Sequence, residues 1–213
     1  MTTPATVTLY GDVYSGNCYK LILCCRALDL PFDWKRIDIL RGQSRTAEFL
    51  RLNPNGRIPL LVTAQQQTLA ESNAILHYLA GGSALLPQDD WAHAQMLQWQ
   101  FFEQYSHEPA IAVARYIQRY LGLPKAEKAR HAACLPKGYA ALDVMEQHLS
   151  TRDFFVAEHF SLADISLYAY THVADEGGFS LADYPHIRAW LARVQAQPGH
   201  ISMDQAAGLY EAV

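Results

Sequence analysis

The sequence lacks the motifs from which several classes of protein are usually recognised. Its 213 residues include four cysteines but no Cys-x-x-Cys pair, and no two of its nine histidines stand at the i, i+4 spacing. A metal site is therefore not expected, because zinc sites usually show one of these spacings. The net charge of −4 gives no electrostatic reason to expect a nucleic acid partner.

Long hydrophobic runs are also missing, although 50% of the residues are hydrophobic. No run reaches about 18 apolar residues, so no membrane-spanning helix is expected. The segment from Met1 to Thr8 has neither the basic cluster nor the apolar core of a signal peptide. The four cysteines are interpreted as reduced thiols, which predicts a cytoplasmic location. They are Cys18, Cys24, Cys25 and Cys134.

The beginning of the chain alternates between strand and helix patterns. The strands are predicted from alternating apolar residues, and the helices from apolar residues that recur on one face. The predicted elements are a strand at Val7 to Tyr10, a helix from Ser15 to Leu28, a strand from Phe32 to Ile37 and a short helix from Thr46 to Leu52.

The stretch from Asn53 to Ser72 contains a turn, two strands and the start of a helix. Its opening residues, Asn-Pro-Asn-Gly, favour chain reversal. The apolar strand from Ile58 to Val62 has Pro59 near its start, and the Ile58–Pro59 bond is a candidate for the cis form. Glu71 and Ser72 precede apolar residues at helical spacing. Ser72 is therefore expected at a helix N-terminus, where free N–H groups attract an anion.

Helical patterns dominate from Trp91 onward, after a Gly-Gly-Ser linker. Pro109 is expected to kink the first of these helices, and Pro136 to kink or break the second. Ser161 and Asp164 form a predicted capping box, which makes Asp164 a fold residue rather than a catalytic acid. The predicted helices include Trp91 to Tyr120, Lys125 to Leu149 and, as the last, Ala182 to Ala196.

The stretch from Asn53 to Ser72 resembles the glutathione-binding half of the cytosolic glutathione transferases, in particular the bacterial serine-type members (theta- and nu-like). In that family the peptide before a cis-proline pairs with the cysteine of glutathione, and a Glu/Gln-Ser pair holds its γ-glutamyl end. The matching residues here are Ile58, Pro59, Glu71 and Ser72.

This resemblance implies an architecture for the whole chain. The first part, residues 1–82, is expected to form an α/β thioredoxin-like domain that binds glutathione. The second part, residues 88–213, is expected to form an all-α helical domain that contributes the pocket for an electrophile. The predicted order of strands and helices in the first part agrees with that layout.

Ser15 and Asn17 stand where the first predicted strand turns into the first helix. A thiol with a pKa of about 8.5 is only about 3% ionised at pH 7, so a site that uses a thiolate must stabilise the anion. A helix N-terminus and a donated hydroxyl can each provide part of this stabilisation. The resemblance implies that Ser15 donates to the glutathione thiolate, with Asn17 as a second donor. The structural alternative for Ser15 is a helix N-cap, and Tyr10 and Tyr14 are alternative hydroxyls.

Three further polar residues complete the candidates in the first domain. Cys18 is interpreted as a packed thiol, and a mixed disulfide with glutathione would require its exposure. The resemblance implies that Gln43 and Arg57 lie near the glycine carboxylate of glutathione. Arg57 suits an anion, but it is equally interpreted as a surface charge.

The candidates for the electrophile pocket come mainly from the helical half. His107, Ile111 and Arg115 share one predicted helix face, at the i, i+4 and i+8 positions. Such a stripe is more often core than ligand site. The aromatic residues added to this pocket are Tyr14, Tyr116 and Tyr168.

The resemblance thus predicts a glutathione transferase that joins the glutathione thiolate to a hydrophobic electrophile, with glutathione as cosubstrate and no metal. The alternatives are a glutathione-dependent isomerase or thiol reductase of the same fold, and a non-catalytic glutathione-binding protein. The resemblance also implies a homodimer, in which Glu103, Gln104 or His107 would reach the glutathione of the partner subunit. No nucleic acid or membrane partner is expected.

Overall fold

The computed structural model describes residues 6–156 and 158–211, which fall into two compact units. The sheet unit comprises the described residues up to Ser83 together with those from Gln197 onward, and the helical unit comprises Ala84–Ala196. Residues 1–5, 157 and 212–213 lie outside the described residues. The predicted domain ranges include these residues, and the prediction that Met1 to Thr8 is not a signal peptide includes residues 1–5. The prediction that the helical domain continues to residue 213 is wrong for residues 197–211, which pack with the sheet unit.

The sheet unit is built on a mixed four-stranded sheet. Its strands are β1 (Val7–Gly11), β2 (Phe32–Arg36), β3 (Leu60–Val62) and β4 (Thr68–Ala70). Their order across the sheet is β2-β1-β3-β4. β1 and β2 run parallel, whereas β3 is antiparallel to both β1 and β4. The register sets Leu9 beside Trp34 on one neighbouring strand and Leu61 on the other.

Helices connect these strands and form the helical unit. In the described residues they are α1 (Gly16–Ala27), α2 (Ala47–Leu52), α3 (Ser72–Leu79), α4 (Asp90–Phe102), α5 (Glu108–Arg115), α6 (Lys128–Leu149), α7 (Leu162–Thr171), α8 (Pro185–Gln195) and α9 (Met203–Tyr210). Helix α1 is the crossover that the parallel pair β1 and β2 requires. The order β1-α1-β2-α2-β3-β4-α3 confirms the predicted thioredoxin-like layout.

Helix α1 is buried on nearly all sides rather than on the single face that the sequence predicted. Its residues from Cys18 to Cys25 are at most 4% exposed. One reason is the C-terminal segment, because Ile201 and Ala206 pack with Ile22 and Val13 in a single apolar cluster. The helix that follows β1 is therefore held between the sheet and a segment almost two hundred positions later in the chain.

The end of the chain differs from its prediction. The sequence predicted the last helix at Ala182 to Ala196, which the structure has as α8, but α9 follows it. Helix α9 begins with a capping box formed by Ser202 and Gln205. An eight-residue helix spans barely two turns, so its apolar residues provide little periodicity to recognise.

The predicted helix from Trp91 to Tyr120 is interrupted rather than continuous. Wider π-helical turns at Glu103–His107 and Tyr116–Tyr120 flank α5. Pro109 lies in the first turn of α5, and the π turn before it accommodates the helical hydrogen bond that proline cannot donate. Pro136, by contrast, lies inside the continuous helix α6, so it does not break that helix.

Asp164 has the structural role that the capping box predicted. Its carboxylate accepts hydrogen bonds from the N–H groups of Ser161 (2.9 Å) and Phe155 (3.1 Å) and from the indole of Trp190 (2.9 Å). The side chain is fully buried, and burial raises its pKa to about 6 against the opposing effect of these donors. Asp164 therefore connects the start of α7 to α8 by hydrogen bonds, and its role is structural.

Candidate active site

Ser15 begins helix α1 without using its side chain as a cap. Its backbone is extended (φ −76°, ψ 120°), and its carbonyl accepts hydrogen bonds from the N–H groups of Cys18 and Tyr19 at 3.0 and 2.9 Å. The hydroxyl accepts no capping hydrogen bond from a backbone N–H group of the first turn, although the Ser15 side chain hydrogen-bonds the thiol of Cys18. Ser15 thus occupies the N-cap position of α1 through its backbone, and its half-buried hydroxyl does not act as the cap.

Cys18 is a packed thiol. Its side chain is fully buried, it hydrogen-bonds the side chain of Ser15, and burial raises its pKa to about 12. It also lies close under the end of β1, since a Cβ atom added to Gly11 would come within 2.8 Å of its sulfur. The exposure that a mixed disulfide with glutathione requires is therefore absent at Cys18.

Three polar side chains meet between the first turns of α1 and α3, and we call them the Lys20 cluster: Asn17, Lys20 and Ser72. The ammonium of Lys20 donates to Asn17 Oδ1 at 2.7 Å and to Ser72 Oγ at 3.4 Å, and Ser72 Oγ donates to Asn17 Oδ1 at 3.0 Å. An ammonium can only donate, so the Asn17 atom that faces it must be the amide oxygen. Lys20 is fully buried and Ser72 is 5% exposed.

Sequence reasoning found Asn17 and Ser72 but missed Lys20. The available signal was a lysine inside the run from Cys18 to Cys25, where the other residues are apolar. A lysine is rarely fully buried unless its ammonium is paired with other groups.

The junction between β4 and α3 carries backbone strain. Glu71 has φ 69° and ψ 112°, and residues other than glycine rarely adopt such a positive φ. Such a conformation costs about 1–3 kcal/mol and is concentrated at functional sites. The Glu71 side chain is exposed, whereas Ser72, the first residue of α3, is buried beside Lys20.

The turn before β3 is held by the side chain of Asn53, the residue with which the predicted turn begins. Asn53 donates from its amide to the carbonyl of Arg57 at 2.8 Å and accepts from the N–H of Asn55 at 3.1 Å. The Ile58–Pro59 peptide bond that follows is cis, as the sequence suggested. Ile58 is half-buried at this position.

Gln43 and Arg57 both lie on the surface of the sheet unit. The amide oxygen of Gln43 accepts a hydrogen bond from the N–H of Asp38 at 2.6 Å, so this oxygen stabilises the loop in which Gln43 lies. The Gln43 amide nitrogen and the Arg57 guanidinium are the groups of this pair that suit an anion.

The C-terminal segment supports the loop that precedes Ser15. A carboxylate oxygen of Glu211 accepts from the N–H of Val13 at 2.7 Å, and the hydroxyl of Tyr19 donates to the carbonyl of Ile201 at 2.5 Å. Burial raises the pKa of Glu211. These bonds tie the start of α1 to residues that the sequence had assigned to the other domain.

The predicted electrophile pocket is not assembled as the sequence suggested. His107, Ile111, Arg115 and Tyr168 are at most 1% exposed. His107 Nε2 lies 2.9 Å from Thr171 Oγ1. These four residues belong to the interior of the helical unit, which is the core role that such a stripe usually has.

Two further contacts of this set lie within the helical unit. The Arg115 guanidinium donates to Glu176 at 2.7 Å, and Tyr168 packs against Trp190. Tyr14, in the sheet unit, is half-buried, and its hydroxyl lies 3.4 Å from a carboxylate oxygen of Asp204. Tyr14 and Tyr116, the latter 38% exposed, are therefore the two of the six predicted pocket residues that retain exposed surface.

Within residues 6–156 and 158–211, no three or more His, Cys, Asp or Glu side chains are grouped so that they could hold a metal ion. Within the same described part of the chain, every helix is too short or too polar to cross a membrane.

The fold and the site define a two-unit protein with a thioredoxin-like α/β part and an all-helical part. Comparison with known proteins then identifies the family. Residues 14–81 match the family model for the glutathione S-transferase N-terminal domain, and residues 91–198 match that for the C-terminal domain. The chain belongs to the glutathione S-transferase family.

Relatives with high coverage support this assignment. A solved structure of a glutathione S-transferase from Pseudomonas fluorescens is 54% identical with a TM-score of 0.91, over 93% of this chain and 99% of that chain. Glutathione S-transferase 3 of Zea mays is 32% identical over 91% of each chain. Glutathione S-transferase 2 of Schizosaccharomyces pombe is 29% identical over 91% of this chain and 93% of the relative. The predicted family, fold class and glutathione transferase function are thereby confirmed.

Proposed function

We propose that the protein catalyses attack of the glutathione thiolate on an electrophilic carbon, and that Ser15 and Asn17 stabilise the thiolate. The observation that carries this proposal is the half-buried hydroxyl of Ser15, which begins α1 without capping it. Two residues further on, Asn17 is bonded to Ser72 at the start of α3. The residues proposed for the thiolate and for the γ-glutamyl end are thus linked to each other.

The residues present fit glutathione, which has a carboxylate at each end and an ammonium beside one of them. Ser72 at the N-terminus of α3 suits the γ-glutamyl carboxylate, and the exposed Glu71 suits the neighbouring ammonium. The exposed Arg57 suits the glycine carboxylate. The proposed glutathione-binding residues are Gln43, Arg57, Ile58, Pro59, Glu71 and Ser72.

The chemistry that glutathione supplies is a thiol that must ionise. Lowering a thiol pKa from about 8.5 by about two units requires about 2.7 kcal/mol and raises the thiolate fraction at pH 7 from about 3% to about 75%. A hydroxyl that donates to an anion contributes about 1.5–3 kcal/mol, and a helix N-terminus about 0.3–1 kcal/mol. Ser15 and the start of α1 are therefore sufficient in magnitude for this task.

The second substrate is proposed to be a hydrophobic electrophile. Four of the six side chains predicted for its pocket are buried in the helical unit. Tyr14 remains the proposed aromatic contact, because it has exposed surface next to Ser15 in the chain.

A homodimer is proposed as the assembled form. The helical unit exposes large apolar side chains at Trp91 (73%), Phe101 (70%) and Tyr105 (88%). Exposed aromatic groups of this number usually mark an interaction surface, and two-fold dimers are the commonest closed assembly. Phe101 and Tyr105 are four residues apart and so lie near each other on the helix surface.

Three residues were predicted to reach the partner's glutathione, and their burial separates them. Glu103 and His107 are fully buried, whereas Gln104 is exposed. The Gln104 amide donates to Glu103 at 2.9 Å and to Glu108 at 2.6 Å. Gln104 is the residue of the three that we propose for a contact across the dimer.

The burial of Cys18 weighs against one alternative function. A thiol reductase that used Cys18 would need an accessible sulfur with a low pKa, and this sulfur is buried with a raised pKa. All four cysteines are free and buried, which supports the proposed cytoplasmic location.

The test is a calorimetric titration with glutathione followed by initial rates against a panel of electrophiles. Binding together with stoichiometric loss of the free thiol would support conjugation. Binding with no turnover would favour the non-catalytic alternative, and turnover without thiol loss would favour an isomerase. A failure to bind glutathione at millimolar concentration would overturn the proposal.

A further inference from the structure

We propose that Glu211 is a positioning residue of the thiolate site: its carboxylate holds the Val13 N–H group and so fixes the loop that presents the Ser15 hydroxyl. Glu211 directly follows α9 and is 198 positions from Val13 along the chain. This inference rests on the proposed function, because it concerns the hydroxyl that is proposed to stabilise the thiolate.

The loop between β1 and α1 has three consecutive N–H groups with defined acceptors. The N–H of Ser15 donates to the carbonyl of Asp12 at 2.9 Å, and the N–H of Tyr14 donates to the Asp12 carboxylate at 2.9 Å. The N–H of Val13 donates to Glu211 Oε1 at 2.7 Å. Two of the three acceptors therefore belong to the loop itself, and the third comes from the C-terminal segment.

The bond from Val13 is the one that the loop cannot easily replace. Val13 is fully buried in the apolar cluster that also contains Ile22 and Ala206, so water is not at hand as another acceptor. A buried N–H group without an acceptor is unfavourable, and the loop would rearrange to satisfy it. Ser15 is only two residues further on and would move with the loop.

The C-terminal segment follows α1 from the end of that helix back to its start. The Arg26 guanidinium donates to the carbonyl of Gly199 at 3.4 Å, and the Tyr19 hydroxyl donates to the carbonyl of Ile201 at 2.5 Å. Glu211 completes this series at the loop before α1. Its place beside the loop is thus set by contacts along the whole helix and not by one bond.

The Glu211 carboxylate is itself held in a buried position. Its side chain is 7% exposed, and Glu211 Oε2 lies 3.4 Å from the Nε atom of Arg36. Trp34 and Asp12 also face the carboxylate, and burial raises the pKa of Glu211 against the opposing effects of the Val13 N–H and Arg36. The ion pair engages one carboxylate oxygen, which leaves the other oriented towards the loop.

The negative charge of Glu211 does not explain its position at the start of α1. Burial is the main cause that raises the pKa of the Cys18 thiol to about 12, and the charges of Asp12 and Glu211 raise it further. A carboxylate disfavours a second anion nearby. The charge of Glu211 therefore opposes a thiolate at this helix start, whereas its acceptor oxygen supports the loop that carries Ser15.

The experiment separates the acceptor of Glu211 from its charge. Glu211→Gln removes the charge and keeps an oxygen that can accept from Val13, because Arg36 is 55% exposed and can turn to solvent. Glu211→Asp keeps the charge but withdraws the acceptor by one carbon–carbon bond, and Glu211→Met removes both. Glu48→Met, at an exposed position of the sheet unit, is the control for the change in net charge. Each variant is also combined with Ser15→Ala.

Three quantities are measured on each protein. The pKa of the bound glutathione thiol is followed by the ultraviolet absorbance of the thiolate. The affinity for glutathione is measured by calorimetry. The exchange rate of the Val13 amide hydrogen is measured by nuclear magnetic resonance and reports the loop directly, without substrate.

We expect Glu211→Met and Glu211→Asp to raise the pKa of the bound thiol by about 0.5–1 unit, a fall of about 3- to 10-fold in the thiolate fraction well below that pKa. The effect should be smaller than that of Ser15→Ala, because a displaced hydroxyl still donates, at a poorer angle. The Val13 amide hydrogen should exchange about 10-fold faster or more. Glutathione affinity should stay within about threefold of the native value, since the residues proposed to hold its two ends lie elsewhere.

The controls should behave differently. Glu211→Gln and Glu48→Met should not raise the thiol pKa by more than about 0.3 unit. In the Ser15→Ala background, Glu211→Met should add less than about 0.3 unit, because the hydroxyl that it displaces is already gone. Glu211→Asp is the milder change and decides the question if Glu211→Met does not fold.

An equal rise in thiol pKa in the Gln, Asp and Met variants would overturn the proposal, because it would not depend on the acceptor. A rise of undiminished size in the Ser15→Ala background would overturn it as well. An unchanged thiol pKa in Glu211→Asp and Glu211→Met, with a raised pKa in Ser15→Ala, would refute this inference alone. If Ser15→Ala itself leaves the thiol pKa unchanged, the proposed role of Ser15 is refuted and the role of Glu211 falls with it.

Discussion

Substitution of Ser15→Ala should slow conjugation while leaving the protein as stable as before. The usual cost of losing an N-cap side chain is about 0.5–2 kcal/mol, but the Ser15 side chain makes no capping bond. The backbone bond from Ser15 N–H to the carbonyl of Asp12, at 2.9 Å, needs no side chain. We therefore expect the free energy of unfolding to stay within about 0.5 kcal/mol of the native value.

The effect on the reaction should be much larger. Loss of a hydroxyl that donates to the thiolate removes about 1.5–3 kcal/mol, which raises the pKa of the bound thiol by about 1–2 units. Well below the native thiol pKa this corresponds to a fall of about 10- to 100-fold in the rate, whereas at pH 7 the thiolate fraction falls from about 75% to about 24–3%, about 3- to 25-fold. The assay is the pH dependence of kcat/KM together with the ultraviolet absorbance of the bound thiolate. In the native enzyme, activity should rise with pH and level off below about pH 8.

Thr46→Ala is the matched control for this substitution. Thr46 does cap its helix, because its hydroxyl oxygen accepts from the N–H of Phe49 at 3.3 Å. This control should lose about 1 kcal/mol of stability and leave the thiol pKa unchanged. An unchanged thiol pKa in Ser15→Ala would refute the role given to Ser15, and so would a loss of stability with no change in rate.

Two other predictions concern stability and assembly. Asp164→Ala deprives four buried donors of their acceptor and should lower the free energy of unfolding by about 3–5 kcal/mol in urea titrations. Burial raises the pKa of Asp164 from 3.8 to about 6. The stabilising contribution of Asp164 is therefore complete below pH 3.8 and is lost as pH rises through about 6. If the stability of Asp164→Asn showed the same pH dependence, this assignment would be contradicted. Tyr105→Glu should give a monomer mass in sedimentation equilibrium, whereas Val144→Glu, at another exposed apolar residue, should remain dimeric.

Features set within a few residues could be predicted from the sequence. The start of α3 at Ser72, the turn after Asn53 and the capping box at Asp164 all agree with the structure. Each depends on backbone preferences and hydrogen bonds that span at most about five residues. The order of strands and helices in the sheet unit followed from the same local patterns and from the family resemblance.

Features that depend on distant contacts were decided by the tertiary structure. The burial of His107 and Arg115 shows which face of the interrupted helix meets the core, and spacing alone could not distinguish a core stripe from a pocket. Helix α9 packs against α1 although the chain between them passes through the whole helical unit.

The candidate site shows the same division within a single cluster. Local patterns in the sequence placed Ser15, Asn17 and Ser72 at helix starts, and the family resemblance made them candidates for the site. Only the tertiary structure brought Lys20 to Ser72, 52 positions away in the chain. A side chain's partner across that distance depends on how α1 and α3 pack together, and no local preference of the chain encodes that packing.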